Sequence, residues 1–180
     1  MEIVHGPKLG IDLPYSVPIM ASNLYNLSCI LTKTEKWADE NQIEHSKLIE
    51  GKLAPDMLPF KVQIYICTNA CKFLLSRVLG QEVPVWEDNE ATFADLRARI
   101  EKAQALLKTV DEQAFEGKNN SPVNFTASKV ELKMTGMTYT QYFALPNFFF
   151  HVTTAYNILR QAGAPLGKQD FIAGDRQSVP

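Results

Sequence analysis

Helical spacing puts one histidine of this chain where a helix should carry only apolar side chains. In Leu145–Ile172, LPNFFFHVTTAYNILRQAGAPLGKQDFI, a turn of about 100° per residue sets Phe148, Val152, Ala155, Ile158, Leu159 and Ala162 in one sector. His151 falls inside that sector, whereas Thr153, Asn157, Arg160 and Gln161 fall opposite. A neutral imidazole in an apolar stripe needs a hydrogen-bond partner or a job, because burying an unpaired polar group is costly. The job its chemistry suits is proton transfer.

The second helical segment supplies candidate partners. Lys61, Thr68, Lys72 and Ser76 mark a wet stripe, and Asp56 and Gln63 point nearly opposite it, in line with Cys67, Ala70 and Leu74. An acid and an amide aimed inward could meet His151 in a polar centre, the usual way a helical core hosts a ligand. Asp56 is then expected to orient His151 or to act beside it, although it is also placed to cap its helix. Gln63, Asn69, Asn23 and Asn147 could bind substrate through their amides, and Tyr142 and Tyr156 could donate hydroxyls. The plainer alternative is that Gln63 and His151 satisfy each other or a backbone carbonyl.

Other constellations are weaker. Cys67 and Cys71 lie one turn apart and could join His151 around zinc, but buried apolar thiols are commoner. His5, His45 and His151 are too dispersed for a metal pair on one helix. The chain carries no nucleophile elbow, phosphate loop or dinucleotide fingerprint.

The elements that must position these groups follow from apolar period. Helices are expected at about 16–41, 56–79, 92–110 and 146–162. The first has Met20, Leu24, Leu27, Leu31 and Ala38 on one face. The second stops at Gly80, and the third has Phe93, Leu96, Ile100, Ala103 and Leu107 behind a Thr92/Asp95 capping box. Residues 116–137 lack helical period, and Val130–Met134 alternates as a strand does, so a small β-hairpin is expected around 122–135. A turn at 138–144 should precede a last helix kinked or restarted at Pro146, and the Gly/Pro-rich tail from Gly163 should dock or fray. The fold class is therefore all-α, a four-helix bundle with a long crossover.

Composition sets the outer bounds. The 180 residues suit a single domain spanning 1–180 with a substantial core. Its 18 basic and 20 acidic residues give a formal charge of −2, with no basic footprint for nucleic acid or an anionic membrane. No apolar run approaches a membrane span, and the first ten residues lack a secretory pattern. Three cysteines at low density fit a reducing, cytoplasmic setting.

KLAPDMLPF at 52–60, VQI at 62–64, FEG at 115–117 and the whole 145–172 motif resemble domain-of-unknown-function family 1993, found in bacteria and fungi. That family is similar to the DinB-like four-helix bundles. The resemblance covers nearly the whole chain, and its last motif is long enough to be specific. It implies an up-down-down-up bundle and often a divalent metal held by one histidine on the second helix and an HxxxH pair on the last. Some such proteins are thiol-dependent transferases or isomerases. Here His151 matches the first histidine of the pair, Ala155 replaces the second, and the second helix has no histidine, only Asp56, Gln63 and Asn69.

Three readings compete. The first is a cofactor-free enzyme binding a small, largely apolar organic molecule. His151 would do acid/base chemistry such as isomerisation, dehydration or cyclisation, in a pocket that opens onto it. The second is a non-catalytic binding module, a homodimer through an apolar face near Phe150. The third is a degenerate DinB-like transferase with a divalent metal.

Overall fold

The computed structural model describes residues 16–127 and 129–176; His5 and the N-terminal stretch lie outside the described residues. The chain is mostly helical with one two-stranded antiparallel sheet. Four long helices enclose the core: α1 (Ser16–Glu40), α3 (Phe60–Leu74), α4 (Phe93–Lys108) and α6 (Leu145–Gln161). Each packs on two neighbours, α1 on α4, α4 on α3, α3 on α6 and α6 on α1. Short helices α2 (His45–Ile49), α5 (Gly136–Tyr139) and α7 (Lys168–Ala173) complete the set.

The expected stripes face inward. Met20, Leu24, Leu27, Leu31 and Ala38 of α1 are buried, as are Phe93, Leu96, Ile100, Ala103 and Leu107 of α4. At the start of α4, Thr92 Oγ1 accepts from the Asp95 amide at 3.1 Å and Asp95 Oδ2 accepts from the Thr92 amide at 2.9 Å. Two of the helix's orphan donors are satisfied by this exchange.

Helix starts depart from expectation at two prolines. α3 begins at Phe60 rather than near Asp56, because a residue preceding proline, here Leu58 before Pro59, is pushed out of the helical region. Asp56 therefore caps nothing and stands exposed in the preceding turn. The last helix, by contrast, begins ten residues early, at the Thr135/Thr138 cap of α5. It runs through a π-helical turn, Thr140–Ala144, directly into α6. Pro146 breaks nothing: its missing N–H and its ring are absorbed by the wider turn just before it. A second π turn, Leu75–Leu79, extends α3 to Gly80, whose φ of 70° is the left-handed stop.

β1 (Pro122–Ala127) and β2 (Val130–Thr135) pair from Pro122↔Thr135 to Ala127↔Val130. Lys129, at φ 68°, supplies the left-handed turn residue of this short hairpin. Alternation along β1 turns Val123 and Phe125 inward, where Phe125 meets Tyr139 and Phe143 edge-on at 5.2 and 4.8 Å. The tail docks: Asn26 donates to the Phe171 and Ile172 carbonyls at 3.0 and 2.8 Å. Lys33 pairs with Asp170 at 2.8 Å.

Candidate functional site

α3 packs most extensively on α6, and two of the polar groups expected to do chemistry, Gln63 and His151, meet across that seam. Gln63 Nε2 donates to the Leu58 carbonyl at 2.8 Å, which turns Oε1 toward His151. Since an amide oxygen only accepts, His151 Nδ1 carries the proton and donates it across 2.7 Å. The lone pair is thereby left on Nε2, which has no partner among the described residues. That atom is not sealed in, because Thr34 Oγ1 is the only fully buried unpartnered side-chain N or O among them. Burial pulls the imidazole's pKa down to about 4, so it is neutral at physiological pH. The Phe150 ring stands edge-on to it at 5.2 Å and is itself 58% exposed.

One turn back along α6, the seam opens into a pocket of about 190 Å³. Its walls are aromatic, with Phe73 from α3, Phe125 from β1, and Tyr139 and Phe143 from the continuous helix before α6. Polar groups enter from Asn69, Arg77, Tyr139 and Asn147. Arg77 Nη1 donates to the Tyr139 hydroxyl at 3.2 Å. Its guanidinium carbon sits 4.5 Å from the Phe73 ring centre and 4.2 Å from that of Phe125, a stacked placement that favours a cation. Burial raises the Tyr139 pKa, with Arg77 opposing, and the ring stays a phenol.

Beside the pocket lies a buried cation. Arg99 of α4 is 1% exposed and donates to Thr68 Oγ1 at 2.9 Å, Glu90 at 3.0 Å and the Glu87 carbonyl at 3.1 Å. It also pairs with Asp88 at 2.8 Å and donates to Asn69 Oδ1 at 3.3 Å. The segment after Gly80 thus straps over α3 and buries Thr68 and Lys72, which the sequence placed on the wet stripe. Lys72 lies 4.8 Å over the Trp86 ring; burial, then Arg99's charge, lowers its pKa.

Of the eight residues expected to form a site, the structure joins Gln63 to His151 and sets Asn69 and Asn147 in the pocket wall. The pocket wall does not include His151. Asp56 is exposed, four residues before α3. Tyr142 points to solvent, 51% exposed. Tyr156 packs its ring against Phe171 at 5.7 Å, and Asn23 Nδ2 donates to the Ile19 carbonyl of its own helix at 2.9 Å. Arg77, Tyr139 and Arg99 were missed. The available signals were the i, i+4, i+8 run Asn69–Phe73–Arg77, and an arginine at the edge of the α4 stripe just after the acidic run Glu87, Asp88 and Glu90.

A DinB-type metal does not fit these residues. Ala155 offers a methyl where a second imidazole would be needed, and the Gln63 oxygen already accepts from His151. One imidazole and a neutral amide are a poor donor set for zinc or nickel. Cys67 and Cys71 donate to the carbonyls of Ile64 and Cys67 at 3.3 and 3.5 Å. Burial pushes the Cys67 thiol up to about 12 and Cys71 well above the ordinary range.

Among solved structures, a DinB family member protein from Shewanella denitrificans is similar over 94% of this chain and 100% of its own. The identity is 28% and the TM-score 0.81. No curated protein matches. The model of the family described as a domain of unknown function, DUF1993, matches residues 14–172, and the chain belongs to that family.

Proposed function

We propose that this protein is a DinB-like four-helix bundle that binds a small, largely apolar organic molecule, without a resident metal, in the pocket beside the α3–α6 seam. One observation carries the reading: an open, aromatic-walled cavity of about 190 Å³ into which Asn69, Arg77, Tyr139 and Asn147 converge. Few, convergent polar groups in an apolar cleft are what a ligand site requires, since they fix orientation while the walls supply affinity. The volume suits one substituted ring, because a dry cavity of about 150 Å³ already accepts benzene.

The test is thermal stabilisation by a panel of small metabolites, applied to the wild type and to Ala127→Trp. Ala127 lines the pocket, so an indole there should fill it. Ligands at 100 times Kd should stabilise the wild type by about 2.7 kcal/mol and the variant far less. Equal stabilisation of both proteins, or none of either, refutes the reading.

A second reading is favoured by the His151 tautomer. The Gln63 oxygen holds Nδ1–H and leaves the Nε2 lone pair unpartnered among the described residues, the arrangement of a general base. His151→Gln should then abolish turnover of a substrate that reaches the unsealed Nε2 edge from beyond the pocket wall, while leaving its affinity unchanged. Unchanged turnover overturns that role.

A further inference from the structure

Among the described residues, Arg77 lacks the carboxylate partners that the two inner arginines of α4 have. Arg97 faces Glu35 and Arg99 faces Asp88 and Glu90, whereas Arg77 has no carboxylate partner among the described residues. It gives one N–H to Tyr139, lies between the Phe73 and Phe125 rings and borders the open cavity. Four of its five donors are left for water or a ligand.

Its neighbours point the same way. Asn69 turns its oxygen to Arg99, so the group it can offer the pocket is its NH₂, two more donors. The Tyr139 oxygen accepts from Arg77, which frees the hydroxyl proton to be donated. No Asp or Glu lines the cavity, and Arg77 is the only cation that does among the described residues. Donors thus gather around a single positive charge, and aromatic faces form the rest of the wall.

We propose that the pocket selects a small aryl carboxylate, its ring held among Phe73, Phe125 and Phe143 and its carboxylate received by Arg77 and the Asn69 amide. The inference rests on the pocket reading above and specifies its ligand. A planar carboxylate matches the guanidinium fork, which can donate two parallel N–H bonds. One cation balances one negative charge; a phosphate dianion would keep its second charge uncompensated against aromatic walls. An alkyl acid would forgo the ring contacts that three phenyl groups offer.

Titration calorimetry with benzoate, benzamide and acetate tests this. Benzamide keeps the ring and shape without the charge, and acetate keeps the charge without the ring. Benzoate should bind at least about tenfold more tightly than either, the factor expected of a charge-assisted hydrogen bond. Ala127→Trp should abolish the heat, placing it in this cavity. Arg77→Met should bring benzoate down to the benzamide level and leave benzamide within about twofold. Should that variant not fold, Arg77→Lys, which keeps the charge and loses the fork, should still weaken benzoate by at least about threefold. Equal affinity for benzoate and benzamide overturns the carboxylate assignment, and so does full benzoate affinity in either Arg77 variant. If neutral fragments bind the wild type and not Ala127→Trp while benzoate shows no advantage, the pocket reading stands and this inference falls. If no probe or fragment binds at all, both fall.

Discussion

Lowering the pH should destabilise this protein through His151. The folded imidazole titrates near pH 4 and the unfolded one near its ordinary 6.5, so between those values the unfolded chain binds more protons. Stability from this group is therefore complete above about pH 6.5 and is lost as the pH falls toward 4. Integrating from pH 7 to pH 5 gives about 2 kcal/mol, which screening at the imidazole's open edge reduces to about 1 kcal/mol. For a chain of this length that is about 2–4 °C in Tm. The assay compares thermal unfolding of the wild type and His151→Gln at the two pH values. The glutamine can still donate to Gln63 but does not titrate, and acid effects common to both proteins cancel in the difference. The wild type should lose about 2–4 °C more than the variant on going to pH 5. Parallel losses in the two proteins would refute the reasoning, as would an NMR titration placing the His151 midpoint above pH 6.

Removing the buried guanidinium by Arg99→Met should strand the Glu90 carboxylate, whose side chain is 10% exposed. It should cost about 3–5 kcal/mol by chemical denaturation, with part regained on adding Glu90→Gln; a loss under 1 kcal/mol would contradict the assignment. Native protein at pH 8 should expose only one thiol to Ellman's reagent, and slowly. Cys67 and Cys71 are fully buried with raised pKa values, whereas Cys29 is half-buried. Full denaturation should release three, and three fast thiols in native buffer would contradict the packing.

The long helices and the hairpin were legible because each rests on a local pattern: apolar stripes in α1 and α4, the Thr92/Asp95 box, Gly80, and alternation in β2. The Gln63–His151 pair was legible too, since two polar residues on apolar stripes are most economically satisfied by each other. What misled was local chemistry read without its neighbours. Asp56 has the right type for an N-cap, but the Leu58–Pro59 step forbids the first turn it would cap. Thr68 and Lys72 read as wet because the segment that covers them has no period at all; Trp86 of that segment lies over Lys72, and Arg99, reached from another helix, bonds Thr68 and ties the segment down. Tyr142 was offered as a hydroxyl donor from an expected turn at 138–144, whereas that stretch is a π turn that leaves its ring 51% exposed. Long-range partners such as Arg77 with Phe125 meet only once the hairpin folds back, and no spacing rule contains that.

The two π turns also explain why a cavity stands beside the α3–α6 seam rather than beside His151. Regular helices pack their seam to interior density and leave little room for a ligand. Each π turn adds a residue to one turn and widens it. One, at Thr140–Ala144, is placed by the strain of Pro146; the other, at Leu75–Leu79, ends at Gly80. Phe143 and Ala144 line the pocket from the first, and Arg77 lines it from the second. Phe125 closes the opened side from the hairpin. Four residues past Asn147, about 6 Å along the axis, α6 is regular again. There the seam closes and the imidazole is packed against Gln63 instead of facing a cavity. The same helix thus presents an opened end able to receive a ligand and a closed end that a neutral hydrogen bond holds to α3. On this geometry the His151–Gln63 hydrogen bond ties α6 to α3 one turn beyond the pocket wall.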